Sequence, residues 1–359
     1  MTFKPQVIIF TNIGVFMKKL ILLMFLVACS TNESEFFEAE EITYEVSSVD
    51  EIIELEETRK PKEERIKTIN PLTGIYHEGE HSFYPIAVVI NNIPAALPQS
   101  GISEADIIYE VLAEGGITRL IAIFTSSKAE KIGPIRSTRE YFADIATNWN
   151  APIVHHGGSP GGYNRIRQLG ITSVDGFHLE NRYFWRVSGR PREHSSYTNW
   201  DNIIDFLGEN FGKTAYWQGV HFSAEPQEKN EITEVTISFS HAHEVHFILE
   251  NDTFRRYQRG ESHIDEYTGE QMQVHNLIIK RASHSPIPND PEGRININLT
   301  GSGVGYLITK YGYTEITWTN TESGFVWQDQ DGNDITLIPG NTWISIIGQN
   351  QNVTFKGEE

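Results

Sequence analysis

GGITRLIAIFTSSKAEKIGPIRSTR, from Gly115 to Arg139, holds one apolar run, Leu120 to Phe124, between polar flanks. Five consecutive apolar residues, with glycines before and a polar turn after, predict a strand buried on both faces. Beyond the turn, Gly133-Pro134-Ile135-Arg136-Ser137-Thr138-Arg139 leads into Ser137 to Asn148, where Tyr141, Phe142 and Ile145 recur at helical spacing. Such a layout delivers arginines and hydroxyls to the start of a helix. Guanidinium forks match oxyanions, so the stretch is a candidate anion site.

Working outward, Ile86 to Ile90 is a short apolar run bounded by Pro85 and Asn91-Asn92, which predicts another buried strand. Ile107 to Glu114 reads as strand or helix. In either form Asp106, Glu110 and Glu114 share a face, because offsets of four suit both periods. On the other side, Ala151 to His156 predicts a strand that enters Gly157-Gly158-Ser159-Pro160-Gly161-Gly162, and a helix over Tyr163 to Leu169 follows. Bare amides in such a loop can also meet an anion. The loop lacks the Walker ending and the dinucleotide fingerprint. The anion-binding candidates are therefore Arg119, Arg136, Ser137, Thr138, Arg139, Gly157, Gly158 and Ser159.

From Asp175 to Arg192, aromatic residues alternate with arginines, a pattern read as packing with snorkelling cations. Thr198 to Leu207 predicts a helix capped by Thr198 or Asn199. Around Gly212 to Ala224 the pattern changes to period-two alternation, as in Thr233 to Phe239 and His243 to Leu249. The fold class expected is α+β. An N-terminal α/β domain with a mixed sheet, residues 70–215, precedes a mainly β domain, residues 222–356. His241, His243 and His246 do not share one strand face, and no further ligand is evident, so neither metal nor cofactor is expected.

The chain has 359 residues and a formal charge of −19, a poor match to nucleic acid. The charge is uneven. Glu33 to Glu64 holds thirteen acids against three bases, whereas Gly115 to Arg192 holds nine arginines and two lysines against five acids. The acidic stretch lacks the apolar content to offset ordering entropy, so residues 29–69 are expected to form a disordered tether.

The single cysteine, Cys29, follows Leu26-Val27-Ala28 and a short apolar segment opened by Lys18-Lys19. This is the layout of a secretory signal within residues 1–28, with Met17 as the expected start. Leu-Val-Ala-Cys fits a bacterial lipobox, which makes Cys29 the expected lipidation site and the membrane the expected partner on its extracytoplasmic side.

Longer motifs point the same way. The first half carries Asn91, Pro98-Gln99-Ser100-Gly101, Ala105-Asp106, Tyr109-Glu110, Glu114 to Arg119 and Gly133 to Arg139. The second carries Tyr257-Gln258-Arg259, His263-Ile264-Asp265, Thr268-Gly269, Asn276, Gly301-Ser302-Gly303 and Pro339 to Ile344. In these the chain resembles the YerB-like bacterial lipoproteins, a two-domain family of unknown function. The resemblance implies an anchored extracytoplasmic protein and carries over no catalytic residues.

Three readings follow. A binding or assembly module would hold a phosphate or carboxylate of an anionic envelope polymer or an acidic protein segment. An envelope phosphotransferase or hydrolase would add Asp106, Glu110 or Glu114 as acid, base or magnesium ligand, and His155 or His156 as proton carrier. In the third, the same three acids neutralise the arginines and there is no site.

Overall fold

In the first half of the chain the strands are β1 (Ile86–Asn91), β2 (Ile107–Leu112) and β3 (Thr118–Phe124). Helix α1 (Glu140–Asn148), β4 (Ile153–His155), α2 (Pro160–Leu169), β5 (Ser173–Asp175), α3 (Gly176–Leu179) and α4 (Trp200–Leu207) follow. In the second half come β6 (Glu234–Ser240), β7 (His243–Glu250), β8 (Thr253–Gln258) and β9 (Asn276–Arg281). Among the later strands are β10 (Ser302–Thr309), β11 (Gly312–Thr321), β12 (Gly324–Gln328), β13 (Thr342–Ile347) and β14 (Val353–Lys356).

The computed structural model describes residues 67–208, 217, 220–224, 231–321 and 324–357, with the short segments 19–21 and 43–45. Met1–Arg65 forms one unit, in which Lys19–Ile21 pairs antiparallel with Thr43–Glu45. Cys29 and most of the acidic stretch lie outside the described residues. Ile66–Glu359 forms the other unit.

Among the described residues of that unit, ten strands make one mixed sheet in the order β12-β11-β10-β9-β13-β2-β3-β1-β4-β5. All seven residues of β3 are buried because both faces of the sheet are covered. Alternate side chains go to opposite sides. Ala87, Val89, Ile107, Tyr109, Ile121 and Ile123 meet Tyr141, Phe142 and Ile145 of α1 and Ile166 of α2. Ile86, Val88, Ile108, Leu120 and Ala122 meet Val235, Ile237, Phe247 and Phe254 of a second, six-stranded sheet. Each fully buried Val, Leu, Ile or Phe stabilises the fold by about 1.5–3 kcal/mol.

Residues 107–112 are strand and not helix, which the apolar run alone left open. The helix expected over 198–207 spans Trp200–Leu207 and is capped by Asn199, whose side chain accepts from the Asn202 amide. The break expected near 212–224 does not divide the sheet. β13, from the second half of the chain, lies between β2 and β9 and pairs parallel with both. The architecture is α+β, with α1 and α2 on one face of the large sheet and the β layer together with α4 on the other.

Candidate functional site

The three acids expected to act together go to three places. Asp106, just before β2, accepts from the Thr125 amide and hydroxyl, both at 2.7 Å, and from Asn70 Nδ2 at 2.8 Å. Burial pushes its carboxyl above the usual range. Glu110, in β2, points toward the second sheet and is fully buried. Arg256 Nη2 of β8 lies 2.9 Å from each of its oxygens, while His243 Nε2 of β7 and the Thr118 hydroxyl reach Oε1 at 2.8 Å. Glu114, beyond β2, holds Arg119 at 2.8 Å and also pairs with Arg139. Burial raises the Glu114 carboxyl, but the two guanidinium charges outweigh it and hold it below the usual range.

Arg119 and Arg139 are therefore not open to a ligand. Arg119 spends a further donor on the Ser137 carbonyl, and Arg139 on the Thr138 carbonyl. Two other expected residues are likewise structural. Ser159 caps α2, accepting from the Gly162 amide at 2.9 Å, and Thr138 is buried. His155 is buried as well, with its ring nitrogens on the Gly157 carbonyl and the Ser173 hydroxyl. The reason is common to all of them. A buried charge or polar group is costly without a partner, and here the protein supplies at least one to each.

Arg136, Ser137, Gly157 and Gly158 do come together, with His156, around a cavity of about 420 Å³. Backbone pairing positions them. The Arg136 amide donates to Val89 O of β1, the His156 amide to Arg136 O, and the Thr138 amide to Gly157 O. Trp185-Arg186 pairs with Ser196-Tyr197, which sets Arg186 beside Ser196 on the facing wall. Arg192, Glu193 and the exposed ring of Phe177 complete the rim. The Gly157 amide is taken by Asp175 Oδ1 at 2.8 Å, so it is not the free anion donor expected of the glycine loop.

Charge in the cavity is only partly neutralised. Glu180 holds Arg186 through Nε at 2.7 Å and Arg192 at 3.4 Å. Arg136 Nη1 donates to the Glu193 carbonyl at 2.9 Å. Among the described residues no carboxylate oxygen lies within 4.0 Å of the Arg136 guanidinium. His156 accepts at Nε2 from Arg186 Nη2 at 2.8 Å, so its proton is on Nδ1, facing the Ser196 hydroxyl at 2.8 Å. Burial, then the Arg186 charge, lower its pKa and keep the ring neutral.

Arg186, Arg192, Ser196 and Phe177 were absent from the sequence-based candidates. Their signal was the run of aromatic and basic residues from Asp175 to Arg192, read there as packing. A second group was also missed. His263 joins Arg256 at 2.7 Å and Gln99 at 2.7 Å, and Gln99 joins Asn92 at 2.8 Å. Asp265 accepts from the Gly101 and Ser103 amides at 2.8 and 2.7 Å. Many of the motif residues thus form a buried polar seam between the two halves of the chain.

A mixed sheet shared by two sequence halves and joined by that seam defines a two-domain α+β protein. The chain belongs to the DUF3048 family. The family pattern "Protein of unknown function (DUF3048) N-terminal domain" matches residues 72–213, and the corresponding "C-terminal domain" matches residues 235–344. A relative from Bacillus subtilis (strain 168), described as "Putative lipoprotein YerB", is 33% identical over 285 residues, 77% of this chain and 85% of the relative. The crystal structure of the YerB protein from Bacillus subtilis is similar with a TM-score of 0.72 at 31% identity, covering 80% of this chain and 100% of that one. The resemblance read from the motifs is borne out.

Proposed function

We propose that this is a lipid-anchored protein of the extracytoplasmic membrane face that binds an oxyanion, phosphate or carboxylate, in the cavity at Arg136. The anchor reading is supported by Cys29 after Leu26-Val27-Ala28 and by the lipoprotein description of the relative. The observation that carries the binding reading is the Arg136 guanidinium, which lines an open cavity and has no carboxylate partner among the described residues. A partly buried guanidinium with no carboxylate in direct contact favours an incoming oxyanion. The ligand would belong to an anionic envelope polymer or an acidic protein segment.

Binding is favoured over catalysis by the state of the candidate groups. The Nε2 lone pair of His156 is occupied by Arg186, and Asp106, Glu110 and Glu114 are each committed to protein donors. Calorimetric titration with inorganic phosphate and with acetate tests the reading. One of them is expected to bind, and Arg136→Gln to weaken it by about tenfold or more, as loss of a charge-assisted hydrogen bond of about 1.5–3 kcal/mol requires. Equal affinity in both proteins, or no binding of either anion, would overturn it.

A further inference from the structure

The cavity is much larger than its anion needs. Its volume is about 420 Å³, and it opens to solvent. It has room beside the anion for the rest of a ligand. The walls describe that part. Phe177 leaves 66% of its surface exposed at the rim, although large aromatic side chains are usually well buried. Its ring meets His156 and His178 at near right angles, with centroids 6.4 and 5.2 Å away, and its exposed part is open to other contacts.

Around that ring the lining is polar. The Ser196 hydroxyl accepts from His156 and retains its own proton to donate. The Glu193 side chain is 57% exposed and can accept from a hydroxyl. A flat apolar face beside hydroxyl donors and acceptors matches a sugar ring, which has a C–H face and a polar edge.

We infer that the ligand is a phosphorylated sugar, its phosphate on Arg136, its ring on Phe177 and its hydroxyls on Ser196 and Glu193. This rests on the oxyanion reading of the same cavity. The test compares inorganic phosphate, glycerol phosphate and glucose-1-phosphate by calorimetry, on the protein and on Phe177→Ala. Phe177 is exposed, so its removal leaves the core intact.

Glucose-1-phosphate is expected to bind about tenfold tighter than the other two, and Phe177→Ala to cut that margin by roughly three- to tenfold while the affinity for inorganic phosphate holds. If glucose-1-phosphate binds no tighter than glycerol phosphate, or the margin survives Phe177→Ala, the sugar assignment falls and the oxyanion site stands. If none of the three binds, the phosphate site falls with it.

Discussion

Lys280, in β9, is fully buried, and its Nζ lies 3.2 Å from the ring centre of Phe325 and 3.6 Å from that of Trp318. It has no hydrogen-bond partner among the described residues. Burial drives its pKa well below the ordinary lysine value of 10.5, so the folded state disfavours the proton that the unfolded chain takes up. Stability therefore rises with pH between the lowered folded value and 10.5. Lys280→Met is expected to raise stability by about 1–3 kcal/mol and to flatten that rise, as measured by urea unfolding across the alkaline range. A steeper pH dependence in the variant would contradict the assignment.

Glu110 shows the opposite outcome. Burial alone would push its carboxyl up, but Arg256 and His243 outweigh burial and hold it down at about 2. Its contribution is present above the unfolded value of 4.5 and is lost as the pH falls from there toward about 2. Glu110→Ala leaves Arg256 buried without a counter-charge, with an expected cost of about 3–5 kcal/mol at neutral pH. Acid titration followed by circular dichroism should show the wild-type loss in that window and a much smaller one in the variant. The need for a partner to Glu110 was legible in the sequence, because an acid within an apolar run must be paired. Arg256 was not, since it stands 146 residues away.

At the scale of elements, the two central readings held where local pattern decides. The apolar run 120–124 lies within the wholly buried β3, and Tyr141, Phe142 and Ile145 do line the inner face of α1. The glycine loop shows where local pattern stops. Gly161 and Gly162 belong to the first turn of α2, and Ser159 caps it. Ser159→Ala is expected to cost about 1 kcal/mol in urea unfolding and to leave phosphate affinity unchanged. A fall in affinity without a fall in stability would return Ser159 to the anion site. The stretch 133–139 divides residue by residue in the same way: Arg136 faces the cavity, while Arg139 turns to Glu114.

For the whole molecule, the two matched family domains are fused in one sheet. β2 takes β13 on one side and β3 on the other, and its buried acid is held from the second sheet. Residues 66–215 alone would expose one edge of β2 and a whole apolar face. That fragment is expected to show no cooperative unfolding transition. Residues 66–359 should unfold in one step, with far-UV and near-UV signals coincident. A folded fragment with its own sharp transition would show that the halves are independent.

By itself the sequence determined the α+β class, the order of most strands and helices, the lipobox-like layout at Cys29 and the family motifs. All of these follow from periodicity, composition or spacing over a few residues, which act locally along the chain. Tertiary structure alone decided which arginines are free. Arg119 and Arg139 pair with Glu114, and Arg186 and Arg192 line the cavity paired with Glu180, so that of the cavity's arginines Arg136 alone meets no carboxylate among the described residues. Whether a guanidinium meets a carboxylate or open space depends on the desolvation and distance of groups brought together only by folding, and no periodicity records that.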